Sequence, residues 1–128
     1  MKLNATTRLA GLVAVAVTAL MIAPTPANAA EPWGCPEGNF CAYSGANGTG
    51  QKCVWKGVDP YWTSGEVTCS WSLNTRVWSV VNNGTSGAPV AGFTRANYAG
   101  DKVFCIPMGA KLNLPNIGTY IRSHKWTC

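Results

Sequence analysis

The sequence predicts an all-β domain, a sandwich of two sheets stapled by disulfides. Three observations carry this prediction. Beyond the first thirty residues no stretch keeps a helical period over three turns, whereas short β-branched and aromatic runs recur between Gly, Asn and Pro. Six cysteines fall in a chain of 128 residues, an even count that reads as a disulfide framework in an exported protein. A pattern that begins at Tyr43 returns fifty residues later at Phe93, so the chain reads as two related four-strand units.

The first segment is an address. Lys2 and Arg8 lie in Met1–Arg8, the apolar run Leu9–Ala23 follows, and Pro24, Pro26 and Ala27-Asn28-Ala29 close it. A basic start, an apolar core of roughly 7–15 residues and an A-x-A site are the parts of a secretory signal peptide. The run is short of the roughly 18–20 apolar residues that a membrane span needs. The expected organisation is a signal peptide over 1–29, cleaved after Ala29, and one secreted domain over 30–128 with no membrane attachment.

All six cysteines (Cys35, Cys41, Cys53, Cys69, Cys105 and Cys128) stay in that domain. No CxxC is present, and an oxidising compartment would pair a free thiolate, so neither a metal site nor a cysteine nucleophile is expected. Of fifteen possible connectivities, pairing in sequence order is expected. Pro36 and Gly38 favour a tight return between Cys35 and Cys41. A Cys105–Cys128 bridge would fasten a terminal residue that otherwise frays, and Cys53–Cys69 follows by elimination. Each bridge adds about 2–4 kcal/mol by restricting the unfolded chain, which matters in a domain with a modest core.

The strands are expected at Phe40–Tyr43, Lys52–Lys56, Val77–Asn82, Val90–Thr94, Lys102–Ile106 and Tyr120–Trp126. Asn47-Gly48, Asn82-Asn83-Gly84 and Ser86-Gly87 supply turns, because Gly and Asn tolerate positive φ. The Asn-Gly-Thr sequons at Asn47 and Asn83 are read as plain turns. In the repeat, Tyr43, Asn47 and Gly50 align with Phe93, Asn97 and Gly100, and each copy leads into a short apolar strand holding Cys53 or Cys105. A serine-bearing strand closes each half, with Ser79 in one and Ser123 in the other.

Phe93, Tyr98 and Gly100 place two aromatics and a glycine in a spacing that resembles the Greek-key signature of the βγ-crystallin superfamily. Tyr43 and Gly50 fit it too, with Gly48 in place of the second aromatic. The resemblance implies a double Greek-key sandwich whose glycine lets the first hairpin fold back over the sheet. It also implies that Ser79 and Ser123 pack against those hairpins. The opening Cys35-Pro36, Gly38, Cys41 and Tyr43-Ser44-Gly45 resembles the Streptomyces-type metalloproteinase inhibitors, peptidase inhibitor family thirty-six. Asn82-Asn83-Gly84, Asn97-Tyr98-x-Gly100 and the closing Ser123-His124-x-Trp126-x-Cys128 resemble secreted actinobacterial members.

Composition excludes several functions. The single histidine, His124, removes every site that needs two imidazoles. Ten Lys plus Arg against five Asp plus Glu is too modest and too scattered an excess for nucleic acid, and Lys2 and Arg8 leave with the leader. Asn74–Ser79 and Gly118–Ser123 correspond to the crystallin calcium loops but carry no carboxylate and place an arginine inside each. A hard cation needs anionic oxygen help, so no metal or other cofactor is expected. Ser123 and His124 are neighbours on one strand and point to opposite faces, and Glu37 and Glu66 have turn contexts. No catalytic residue, and no enzyme, is expected.

A secreted inhibitor, monomeric and directed at an extracellular metalloprotease, is the function the resemblance implies. Such a protein would insert a rigid, extended loop competitively into the cleft, with disulfides keeping the loop from release. Tyr61–Leu73 is the candidate loop, with Trp62, Val67, Thr68, Cys69, Ser70, Trp71 and Leu73 as contacting residues. Val67, Trp71 or Leu73 could mimic the apolar residue that thermolysin-like enzymes accept after the cut. Trp62 reads either as a loop anchor or as a ring folded over a neighbouring disulfide. The alternative function is a crystallin-type module that acts on cell-wall polysaccharide or competing microbes without inhibiting a protease.

Overall fold

In the computed structural model, which describes residues 31–128 together with Gly11 and residues 13–16, seven strands build two antiparallel sheets. The expected signal peptide over 1–29 falls almost wholly outside the described residues. One sheet runs β2 (Lys52–Trp55), β1 (Asn39–Tyr43), β3 (Ser79–Asn83), β6 (Lys111–Asn113); the other runs β5 (Lys102–Ile106), β4 (Val90–Phe93), β7 (Ser123–Lys125). Six of these overlap the runs read from the sequence, four wholly inside them, with β1 and β3 each reaching one residue beyond. β6 does not: Lys-Leu-Asn is exposed throughout and has no β-branched residue, so pairing with β3 rather than propensity makes it a strand. The last expected strand shortens to Ser123–Lys125, and the expected start at Val77 moves to Ser79, because Val77 meets Thr119 only in an isolated bridge.

The halves exchange pairing. β6 belongs to the second half yet pairs with β3 of the first. In return Asp59, from the first half, forms a backbone bridge with His124 on β7. Sequence repeat thus becomes structural repeat, with each half completing the other's sheet.

The repeated hairpins have the same backbone. Asn47 and Asn97 take φ of 54° and 58°, and Gly50 and Gly100 take 80° and 75°. A Cβ on Gly50 would lie 2.3 Å from Ser44 Oγ, and one on Gly100 2.3 Å from Thr94 Oγ1, so side chains are excluded by both conformation and space. The two serines clamp what the glycines allow. Ser79 Oγ accepts from Gly48 N at 2.9 Å and donates to Gly45 O at 2.6 Å. Ser123 Oγ accepts from Tyr98 N at 3.0 Å and donates to Arg95 O at 2.6 Å. Both serines are fully buried, so these bonds form away from water.

The core lies between the sheets. Phe40, Trp55, Trp62 and Phe104 form an aromatic cluster around His124, flanked by Val80, Val90, Ile106 and Ile121. The cysteines pair in sequence order: Cys35–Cys41, Cys53–Cys69 and Cys105–Cys128. Among the described residues no helix is long and apolar enough to cross a membrane.

The clamp predicts the cost of its removal. Ser79→Ala and Ser123→Ala each strand a backbone donor and acceptor, and each should lose about 2–3 kcal/mol in urea denaturation. A loss below roughly 0.5 kcal/mol would show that the hydroxyls do not hold the hairpins.

Candidate functional site

Residues 56–78 form the longest connection between strands, and the polypeptide is fastened at several points along it. Trp62 N donates to Arg122 O at 2.9 Å, and Cys69 N donates to Trp62 O at 2.6 Å, closing the root of a projecting turn over residues 63–68. The Cys53–Cys69 bridge ties that root to β2. Arg122 reaches the far side, donating to Ser72 O and, at 2.9 Å, to Leu73 O. Asp59 holds the near side: its carboxylate accepts from Trp55 Nε1 at 2.8 Å and from Tyr61 N at 2.9 Å.

His124 joins these supports. Trp62 Nε1 lies 2.8 Å from Nδ1, and an indole N–H only donates, so Nδ1 carries no proton. Nε2 then donates to Gly57 O at 2.9 Å. The geometry therefore selects the neutral imidazole with its proton on Nε2. Burial among aromatic rings opposes the charged form and lowers the pKa to about 4, with the Gly57 carbonyl a smaller opposing influence.

These positions revise the expected contact set. Trp62 is fully buried in the aromatic core, so it is a root and not an anchor for a partner. Cys69 is likewise buried, its sulfur committed to Cys53. Val67 and Trp71 are half-buried and pack on the core. Thr68 and Ser70 are exposed, and Leu73 is 51% exposed. Ser70–Leu73 forms a 3-10 turn, not the extended segment expected, because Ser72 Oγ bonds Cys69 O and Arg122 takes the last carbonyls. A groove of about 410 Å³ runs beside the projecting turn, lined by Lys56, Val58, Asp59, Tyr61, Glu66 and Val67 among others.

The hydrolytic alternatives are without geometry. Ser123 Oγ is spent on its hairpin, His124 faces the core, and the Asp59 carboxylate bonds an indole and a backbone amide. Glu37 and Glu66 are both exposed on turns. Sequence reasoning missed Asp59, Arg122 and His124 as supports of the loop. No local signal marks them, since Trp62 and His124 are 62 positions apart.

The site is therefore a disulfide-braced β scaffold that presents a loop fastened at both ends. The model of peptidase inhibitor family I36 matches residues 28–106, and the chain belongs to that family. The matched region includes β1 to β5 and the whole fastened connection. The protein is a peptidase inhibitor, and its partner is a peptidase. No curated protein matches the chain.

The buried imidazole sets a pH dependence. Unfolded, His124 titrates near 6.5; folded, it holds no proton until about pH 4. Between those values the unfolded chain binds the extra proton, so stability rises with pH across the window and is lost on acidification. The full effect is roughly 3 kcal/mol. Urea midpoints measured from pH 4 to 7 should therefore climb, and the climb should shrink in His124→Gln. Parallel curves for both proteins would exclude the imidazole as its source.

Proposed function

We propose that the protein is exported and that its mature domain, residues 30–128, blocks an extracellular metalloprotease as a monomer. The metalloprotease assignment is supported by the resemblance of Cys35–Gly45 to the Streptomyces-type metalloproteinase inhibitors. Export is supported by the basic, apolar and A-x-A parts of the first segment. The pairing of β6 with β3, and of Asp59 with His124, supports reading the halves as two interlocked Greek keys.

The observation that carries the mechanism is the double fastening of the β2–β3 connection. Root bonds at Trp62 and Cys69, the Cys53 bridge and the Arg122 grip leave residues 63–73 ordered before any partner arrives. Pre-ordering removes much of the entropy cost of docking. Thr68, Ser70 and Leu73 form the accessible contact edge, with Val67 and Trp71 partly available beneath it. Leu73 is the apolar side chain best placed to enter a pocket. Trp62 and Cys69 act on the partner only by holding the loop.

Titration against a thermolysin-like enzyme, a subtilisin and a trypsin tests the reading. Stoichiometric, saturable inhibition of the first, with the inhibitor surviving digestion, is expected. Leu73→Asp should weaken that inhibition by about tenfold or more with its thermal midpoint retained. Absence of inhibition across the panel would sink the metalloprotease assignment. Equal potency of Leu73→Asp and Trp71→Ala with the parent would move the contact away from this loop.

A further inference from the structure

A cationic and aromatic patch borders the C-terminal end of the fastened loop. Tyr120, 41% exposed, lies between two arginines, with Arg76 Cζ 5.4 Å and Arg122 Cζ 5.9 Å from its ring centroid. Backbone carbonyls hold both guanidinium groups. Arg76 Nη1 donates to Gly118 O at 3.4 Å, and Arg122 donates to Ser72 O and Leu73 O. Leu73, whose carbonyl holds Arg122, and Ile117, next in the chain to the Gly118 acceptor, are 51% and 58% exposed. The acceptors are neutral, and among the described residues neither arginine forms an ion pair, so two positive charges stand uncompensated at the surface.

We infer that Arg76, Tyr120 and Arg122 form a second contact for the blocked peptidase, docking on a carboxylate-bearing surface beside its cleft. The inference rests on the inhibitory reading above and adds to it a partner chemistry and a kinetic role. Tyrosine and arginine are the side chains that dominate binding energy at protein interfaces. Stacking on Tyr120 and the carbonyl contacts of Arg122 restrict these side chains, so less ordering remains to be done on association. Arg76 has one weak intramolecular bond and keeps most of its planar donor fork free, the geometry that suits a carboxylate. Leu73 belongs to both the loop and the patch, so a partner on one covers the other. Two charges on one aromatic platform are too few for a phosphate backbone, and the flanking Leu73 and Ile117 suit a protein.

Uncompensated charge of this kind acts mainly on the rate of encounter. Association and dissociation rates with a thermolysin-like enzyme, measured at low and high salt, therefore test the inference. The parent should associate roughly tenfold faster at low salt. Arg76→Glu should remove about that factor and flatten the salt dependence, with its dissociation rate changed less than its association rate. Arg76→Gln should fall between, and Tyr120→Ala should speed dissociation. Arg76 and Tyr120 are exposed, so unchanged thermal midpoints would certify the fold, and Arg76→Lys should restore part of the rate if a variant fails to fold. Inhibition by a parent whose rates match those of Arg76→Glu and Arg76→Gln at every salt would overturn the second contact alone. A parent that inhibits nothing would overturn both readings. Salt-sensitive self-association of the free protein, lost in Arg76→Glu, would assign the patch to a second copy and overturn the inference.

Discussion

The neutral imidazole of His124 is the joint on which the rest of the structure depends. Through its backbone it receives Asp59 from the opposite half; through Nδ1 it fixes Trp62; through Nε2 it fixes Gly57. These three contacts reach one continuous connection, so a single residue on β7 sets the path of the chain after β2. The rings around it would lose contact with a smaller residue, and a charged one would be stranded without water or a carboxylate. The Asp59 carboxylate is engaged by Trp55 Nε1 and Tyr61 N, and the two ring nitrogens of His124 bond Trp62 and Gly57 instead. Polar groups this deep stabilise only when their donors find acceptors, as Trp55 Nε1, Trp62 Nε1 and His124 Nε2 do, whereas the indole N–H groups of Trp71 and Trp126 at the edge of the core have no partner among the described residues.

The pseudo-symmetry of the halves explains a departure that the repeat leaves open. In the second half, Tyr98 packs edge-on against Phe93, with ring centroids 6.1 Å apart. In the first half that position is Gly48, where a Cβ would lie 2.2 Å from Trp33 Cβ. Trp33 reaches in from the N-terminal segment, packs edge-on against Tyr43 at 6.4 Å, and accepts the tyrosine hydroxyl on its carbonyl at 2.7 Å. The aromatic lost from the hairpin is thus supplied by another part of the chain. The same packing solution survives with its atoms redistributed, and the Cys35–Cys41 bridge beside it keeps that segment in place.

What was legible in the sequence follows the range of each interaction. Strand runs and the fifty-residue repeat depend on local pattern and could be read directly, whereas the clamping role of Ser79 and Ser123 spans 25 to 34 positions and followed only from the family resemblance. The order of the disulfides was readable from the turn residues between Cys35 and Cys41 and from the terminal place of Cys128, which left Cys53–Cys69 by elimination. β6 was not, since its pairing partner lies in the other half and its own residues carry no strand preference. Trp62 shows the limit most clearly. Asp59, Pro60 and Gly65 mark the segment correctly as a connection, but turn chemistry is silent on which way a ring points. Its direction is set by His124 and Phe40, both distant in sequence, and so the most conspicuous loop aromatic became part of the core.

On the proposed reading, that burial changes how the loop would resist a peptidase. An exposed Trp62 would have supplied binding area, whereas a buried one supplies a fixed end. If the chain were cut between Thr63 and Thr68, the upstream end would remain held by the Trp62 ring and its bonds to His124 and Arg122. The downstream end would remain held by Cys69 through Cys53, and by the Arg122 grip on Ser72 and Leu73. Neither product could leave, so the new termini would stay at high effective concentration and rejoining would compete with release. The energy that keeps them there is the folding energy of the core itself, concentrated in residues that never touch the partner. On the proposed mechanism, inhibition would accordingly be a property of the interior as much as of the surface, and the stability of that interior falls when the buried imidazole is forced to take a proton.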